Sequence, residues 1–338
     1  MSLGFALISC QRSPDDPRTW TDLYRQAIEL TKKAESLGFG SVWTTEHHFV
    51  DDGYMPSLLP VSAALGASTE RIEIGTGVLL APLYHPLRLA EDAATVSLLA
   101  EGRFTLGLGL GWSAIEFDAF GEGLSKRGRA MEEILAVLPQ AWSGEVVKHH
   151  GPIYDIPEVA VRPYPEAALP IVVGGTVDAA VKRAARGADG FFSNASRRRL
   201  AHQIEVGISE LERVGRDPEA FRWIYYAVAY PCDDPDKGWE EIREHVWRIR
   251  WKYSDMEASA HRTGPLASAP PLDAEGEERL RAFTLLGTAE QLADQFGEIR
   301  SESGVDLELV SRSYFPGLTF EHQTEVLERL AEVVALLG

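Results

Sequence analysis

Two cysteines, Cys10 and Cys232, lie far apart in 338 residues. They are too few for a disulfide framework and lack the paired spacing of a metal knuckle, so a reducing compartment is expected. Basic residues are scarce as well: 33 Lys plus Arg against 51 Asp plus Glu leave a formal charge of −18. That sign repels phosphodiester backbones and anionic lipid surfaces, which argues against nucleic-acid and membrane partners. No apolar run approaches the roughly 18 to 20 residues needed to span a bilayer. The opening stretch Gly4 to Cys10 has no basic leader and runs into Gln11, Arg12 and a Pro/Asp-rich segment, so it reads as a buried strand rather than a signal peptide. A cytoplasmic location is expected. Also missing is the glycine-rich fingerprint that follows the first strand of open dinucleotide-binding sheets; the turn here is Gln11-Arg12-Ser13-Pro14.

What the chain does have is an apolar fraction of 45% and a charged fraction of 25%, enough to build a large core and too apolar for disorder. Short apolar runs alternate with amphipathic stretches from end to end, the pattern of repeated βα units. Strands are predicted at Gly4 to Ser9, Ser41 to Thr45, Ile72 to Leu80, Phe104 to Leu108, Pro170 to Val173, Gly190 to Ser193, Arg222 to Tyr230 and Val305 to Val310. Each is followed by at least one helical pattern, such as Leu23, Ala27, Leu30, Ala34 and Leu37 before the stop at Gly38. Eight such units predict an α/β fold, a (β/α)8 TIM barrel formed as one domain over residues 1–338. Two segments break the pattern. Val146 to Ile156 alternates like a small hairpin around His150-Gly151-Pro152, and Ser254 to Gly287 reads as a long insertion, either a lid or a plain connection.

In a barrel of this kind the carboxyl ends of the strands form the active face. The second strand ends there in Thr45-Glu46-His47-His48-Phe49, an acid and two imidazoles suited to proton exchange near neutral pH. Adjacent residues on an extended strand point to opposite faces and no third ligand follows, so no metal site is expected. The third strand ends in Thr76-Gly77-Val78, and the fourth carries Gly107, Gly109 and Gly111 at alternate positions before Trp112. Small residues along one face imply a bulky neighbour, either a flat ligand or a protein side chain. The fifth delivers Gly174-Gly175-Thr176 to a helix start, which is either a phosphate-binding turn or simple capping by Thr176 or Asp178.

Taken in order, Glu46-His47-His48-Phe49, Thr76-Gly77-Val78, the run from His85-Pro86 to Glu91-Asp92, Gly102-Arg103-Phe104 and Gly109-Leu110-Gly111-Trp112 resemble the bacterial luciferase family of flavin monooxygenases. Glu116-Phe117, Phe120-Gly121, Gly174-Gly175-Thr176 and Gly287 to Leu292 also match. The resemblance implies a flavoprotein, usually a homodimer, using reduced FMN and O2 on a small organic substrate. A separate NAD(P)H-flavin reductase would supply the reduced flavin. His47 matches the catalytic histidine beside the flavin ring, with Glu46 and His48 expected to orient it and His48 and Trp112 to line the substrate pocket. Thr76, Gly77 and Val78 match the segment under the ring, where a non-proline cis peptide is common and falls at Gly77-Val78. Gly109, Gly174, Gly175 and Thr176 complete the expected cofactor contacts. Where luciferase has an arginine reaching the phosphate, this chain has Leu110, which leaves the phosphate to a helix end and a basic residue that the sequence does not place. Relatives with a glycine-rich fourth strand include users of a deazaflavin coenzyme, so hydride transfer on that coenzyme is the alternative; a flavin-binding barrel without turnover is a third reading. The Glu-His-His-Phe sequence leans toward FMN.

Overall fold

The computed structural model describes residues 3–338. Its centre is a ring of parallel strands: β1 (Gly4–Ile8), β2 (Ser41–Thr44), β3 (Glu73–Thr76), β4 (Phe104–Gly109), β5 (Ile171–Gly174), β6 (Gly190–Ser193), β7 (Arg222–Pro231) and β8 (Leu307–Arg312). Each pairs with the next in chain order. The ring closes because β8 returns to β1, with Gly4 opposite Val310 and Ala6 opposite Arg312. This is the expected (β/α)8 barrel, and closure leaves none of the eight strands with an open edge.

Around it lie α1 (Trp20–Ser36), α2 (Leu58–Ala67), α3 (Pro86–Leu99), α4 (Ala114–Phe120), α5 (Arg127–Trp142), α6 (Asp178–Gly187), α7 (Arg197–Arg213), α8 (Pro235–Ser259), α9 (Ala274–Ala282), α10 (Ala289–Ser303) and α11 (Phe320–Leu337). The first helix shows how the sequence sets them. Thr19 and Asp22 form a reciprocal cap at its start, while Leu23, Ala27, Leu30 and Ala34 make one buried stripe. Among the described residues no helix is long and apolar enough to cross a membrane.

Three differences from the sequence reading are local. The third strand stops at Thr76, just before the cis Gly77–Val78 peptide, and Leu79–Leu80 then pairs separately with β4. The hairpin extends past Ile156, pairing Val146–His150 with Asp155–Ala160. The segment expected to be an insertion from Ser254 is largely regular structure: α8 runs on to Ser259, α9 follows, and Thr284–Gly287 pairs in parallel with β7 outside the ring. Trp239 and Trp247 on α8 tie it down, donating their indole N–H groups to Glu277 at 2.9 Å and the Pro270 carbonyl at 2.7 Å.

Alternation along the strands stacks the barrel interior in tiers. At the amino ends Arg222, Glu308, Glu73 and Thr105 bond to one another. Above them sit Trp43, Val172, Phe192, Ile224 and Val310. The next tier, at the mouth, holds Tyr226 and Arg312.

Candidate active site

A cavity of about 880 Å³ opens at the carboxyl ends of the strands, large enough for a cofactor and a small molecule together. His47, Gly77, Val78, Gly109, Trp112, Gly174, Gly175 and Thr176 all border it. The structure thus gathers most of the residues singled out in the sequence around one space.

His47 sits just past β2 and is buried. Its Nδ1 lies 3.0 Å from Glu116 Oε1, which also accepts from the His48 N–H at 2.8 Å. A carboxylate can only accept, so Nδ1 carries the proton, and Nε2, which has no hydrogen-bond partner among the described residues, is left to the cavity that His47 borders. Tyr54, Tyr253 and Trp112 surround the ring edge-on at centroid distances of 4.9, 5.5 and 6.0 Å. The Glu116 partnership is the main element that sequence reasoning missed. Glu116 belonged to a quoted motif but stands 69 positions from His47, and only the β4 loop and α4 bring it there.

Glu46 was expected to orient His47, and the structure corrects this. Its carboxylate accepts from the Leu80 N–H at 2.5 Å and the Tyr84 hydroxyl at 2.8 Å. It therefore anchors the segment after the cis peptide and holds the cavity wall. His48, expected in the substrate pocket, does not border the cavity; its ring packs on Phe120 and Phe49 and its Nε2 lies 3.4 Å from Glu46. Thr76, expected at the cofactor, is fully buried and does not border the cavity. Its hydroxyl donates to the Gly107 carbonyl and accepts from the Gly107 N–H, both at 2.8 Å, which locks β3 to β4.

The glycines resolve the question of what lies against them. A Cβ on Gly109 would come 2.4 Å from a Val78 methyl and one on Gly174 2.8 Å from the other, so these two open the space that Val78 fills. On Gly107 a Cβ would meet the Thr76 carbonyl at 1.8 Å, and on Gly75 the Trp43 ring at 2.3 Å. Protein occupies the bare faces, and Val78, seated between Gly109 of β4 and Gly174 of β5, borders the cavity.

The Gly174-Gly175-Thr176 turn leads to α6, whose amino end carries no side-chain cap. Asp178 is instead paired with Arg199 and His202. The amino end of α7, at Ser196, is also uncapped by a side chain and borders the same cavity. These two adjacent helix ends border the cavity with Arg127 and with Arg199, whose charge is shared with Asp178, and helix amino ends of this kind suit an anion. Among the described residues, no group of three or more His, Cys, Asp or Glu side chains is positioned to hold a metal ion.

The family model described as luciferase-like monooxygenase matches residues 1–307. The chain is 32% identical over 223 residues to the F420-dependent glucose-6-phosphate dehydrogenase of Microbacterium testaceum, covering 62% of this chain and 65% of that one. It is 28% identical over 165 residues to the oxygenase component of the flavin-dependent trigonelline monooxygenase of Acinetobacter baylyi, covering 48% and 46%. The matched stretches thus span about half to two thirds of these curated relatives. The crystal structure of monooxygenase RslO1 from Streptomyces bottropensis has the same fold, with a TM-score of 0.83 over 99% of both chains at 21% identity.

Proposed function

The chain belongs to the luciferase-like monooxygenase family, and from that premise we propose that it is a flavin-dependent oxidoreductase, a monooxygenase that uses reduced FMN and O2 on a small organic substrate. The observation that carries the proposal is convergence: the Glu116-held imidazole, the Val78 platform and the uncapped ends of α6 and α7 border one cavity. Those residues fit a phosphate-tailed flavin. The helix ends with Arg127 and Arg199 would take the phosphate, and Val78 would lie under the ring system. The bound flavin would supply the two-electron redox chemistry.

The chain's own residues have narrower tasks. His47 gives or takes a proton at Nε2, and Glu116 fixes its tautomer and steadies the charged form. Trp112 and Tyr253 wall the space and keep water from the reacting atoms. Glu46 keeps the Val78 segment in place. We propose that the whole chain acts as one domain, in a cytoplasmic homodimer supplied by a separate NAD(P)H-flavin reductase.

A second reading, hydride transfer with a deazaflavin, is supported by the likeness to the F420-dependent dehydrogenase and by Leu110 in the fourth-strand motif. Fluorescence titration of the purified protein with FMN and with the deazaflavin separates the two. Our reading expects tighter binding of FMN and oxygen uptake with reduced FMN above that of free flavin. Preference for the deazaflavin with no oxygen uptake supports the second reading, and binding of either without turnover on a broad substrate panel makes the barrel a flavin carrier.

A further inference from the structure

Arg312 ends β8 at the barrel mouth and borders the cavity. Among the described residues no carboxylate pairs with it. Its Nε is sealed from solvent with no hydrogen-bond partner among the described residues, and the phenols of Tyr253, Tyr226 and Tyr54 lie near enough to interact with the guanidinium electrostatically. The Tyr226 ring centre is 5.9 Å from the guanidinium carbon. Arg312 is half-buried; a cation partly withdrawn from water without a counter-charge is costly, and phenols do not supply one near neutral pH. Burial pushes the Tyr226 hydroxyl up to about 12 and that of Tyr54 well above its ordinary value.

The wider wall has the same sign. Arg127, Arg199, Arg250 and Arg312 border the cavity, where Glu46 is the one carboxylate among the described residues and is already committed to Leu80 and Tyr84. Arg199 is paired with Asp178, which leaves Arg127, Arg250 and Arg312 without an ion-pair partner among the described residues, an arrangement that draws anions toward the mouth of a chain whose net charge is −18. The position of Arg312 separates it from the phosphate corner. In the eight-strand ring β8 stands opposite β4, two and three strands from the β6 and β5 turns that form that corner. On the other side, Arg312 and His47 share Tyr54 and Tyr253 as neighbours.

We propose that Arg312 is the anchor of the substrate subsite and that the substrate is a carboxylate, held at the guanidinium with the remainder of the molecule turned across Tyr253 toward His47. Only that last orientation rests on the flavin reading above; the anion subsite itself does not. The guanidinium donates paired hydrogen bonds to the two carboxylate oxygens, its planar fork matching their spacing.

The experiment is calorimetric titration and thermal unfolding of the purified protein, alone and loaded with FMN, against acetate and acetamide, benzoate and benzamide, and phenylacetate and phenylacetamide. At least one acid should bind about tenfold or more tighter than its amide and raise the unfolding temperature where the amide does not. Arg312→Met should abolish that preference, hold FMN affinity within about twofold, and unfold no lower than the wild type without ligand, since it removes an unbalanced charge. Arg312→Gln repeats the comparison if the Met variant does not fold. No acid preferred over its amide, or a preference that survives both substitutions, overturns the proposal. A loss of FMN affinity in step with the loss of acid binding assigns the guanidinium to the cofactor and also overturns it. An Arg312-dependent preference in a protein that binds no flavin leaves the subsite standing and removes the proposed function.

Discussion

Strands β7 and β8 carry two arginines into the barrel interior, one at each end, and the two are treated oppositely. Arg222, at the amino ends, donates to Glu308 at 2.7 and 2.8 Å, to Glu73 at 3.1 and 3.2 Å and to the Thr105 hydroxyl at 3.1 Å. Arg312, at the mouth, has the Tyr226 ring beside it and, among the described residues, no carboxylate partner. Charge at the bottom is satisfied within the protein and contributes to holding the ring of strands together. At the mouth it is left unbalanced, and the carboxylates there position other groups: Glu46 holds the Leu80 N–H and the Tyr84 hydroxyl, one through each oxygen, and Glu116 holds the His47 ring and the His48 N–H through Oε1. The same division of labour between the two faces is general to this architecture.

The contrast predicts separable damage. The largest effect is expected from His47→Ala, which should lower turnover by about 10²- to 10⁴-fold while the unfolding temperature stays close to that of the wild type. Glu116→Gln should lower turnover less, by about 10- to 100-fold. The loss should fall on kcat with KM little changed, because the amide holds the ring less firmly and does not touch the substrate. Steady-state turnover over a range of substrate concentrations, with unfolding curves on the same samples, checks both. A loss confined to KM would reduce Glu116 to a packing role, and a fall in stability matching the fall in rate would erase the distinction between the two faces.

Next in size is Arg222→Met. It leaves Glu73 and Glu308 facing each other at the bottom without their cation, which is expected to cost about 1–3 kcal/mol after allowing for their partial exposure to water. FMN affinity and the acid-over-amide preference should be unchanged. Urea denaturation alongside flavin titration measures the two independently. Arg222→Met and Arg312→Met remove the same charge from the same two strands, so opposite signs of stability change would be the sharpest form of the comparison.

Much of this was legible in the sequence, and the failures share a cause. The eight strands were readable because a parallel strand buried on both faces is a compact apolar run. His47 was readable because a polar cluster ended such a run on the active side. What the chain could not reveal was which polar groups satisfy one another across strands. Glu46 and Thr76 looked functional from their positions, yet their oxygens are taken by Leu80, Tyr84 and Gly107. The glycines of β4 and β5 signalled a bulky neighbour correctly, but not that Val78 from the next turn was the neighbour. Arg312 gave no signal, because an arginine at a strand end reads as an ordinary surface charge until the missing counter-ion is seen.

The smallest effect concerns how the mouth wall is held. Helix α8 presents Val246, Ile249, Arg250 and Tyr253 to the cavity, and His245 docks it on the loop after β8 by donating its Nδ1–H to the Pro316 carbonyl at 2.9 Å. Burial lowers the His245 pKa below its ordinary 6.5, the Pro316 carbonyl partly opposes this, and His322 and Arg248 lower it further against Glu244. Between the folded-state pKa and 6.5 the unfolded chain therefore binds more protons than the folded one. By linkage the stability is complete above about pH 6.5 and falls as the solution is acidified through that range. The carboxylates that fasten the far end of α8 do not act in this window: despite burial, Lys252 and Arg262 hold Asp51 below the ordinary carboxylate value, and Arg262 and Lys252 do the same for Asp255. Unfolding midpoints for the wild type and His245→Gln, measured from pH 8 to pH 5, should differ by a constant amount down to about pH 6.5 and converge below it, with a slope shallower than the loss in Arg222→Met. A difference that stays constant to pH 5, or grows on acidification, would place the titrating group elsewhere and remove His245 as an acid-sensitive tie of the mouth wall.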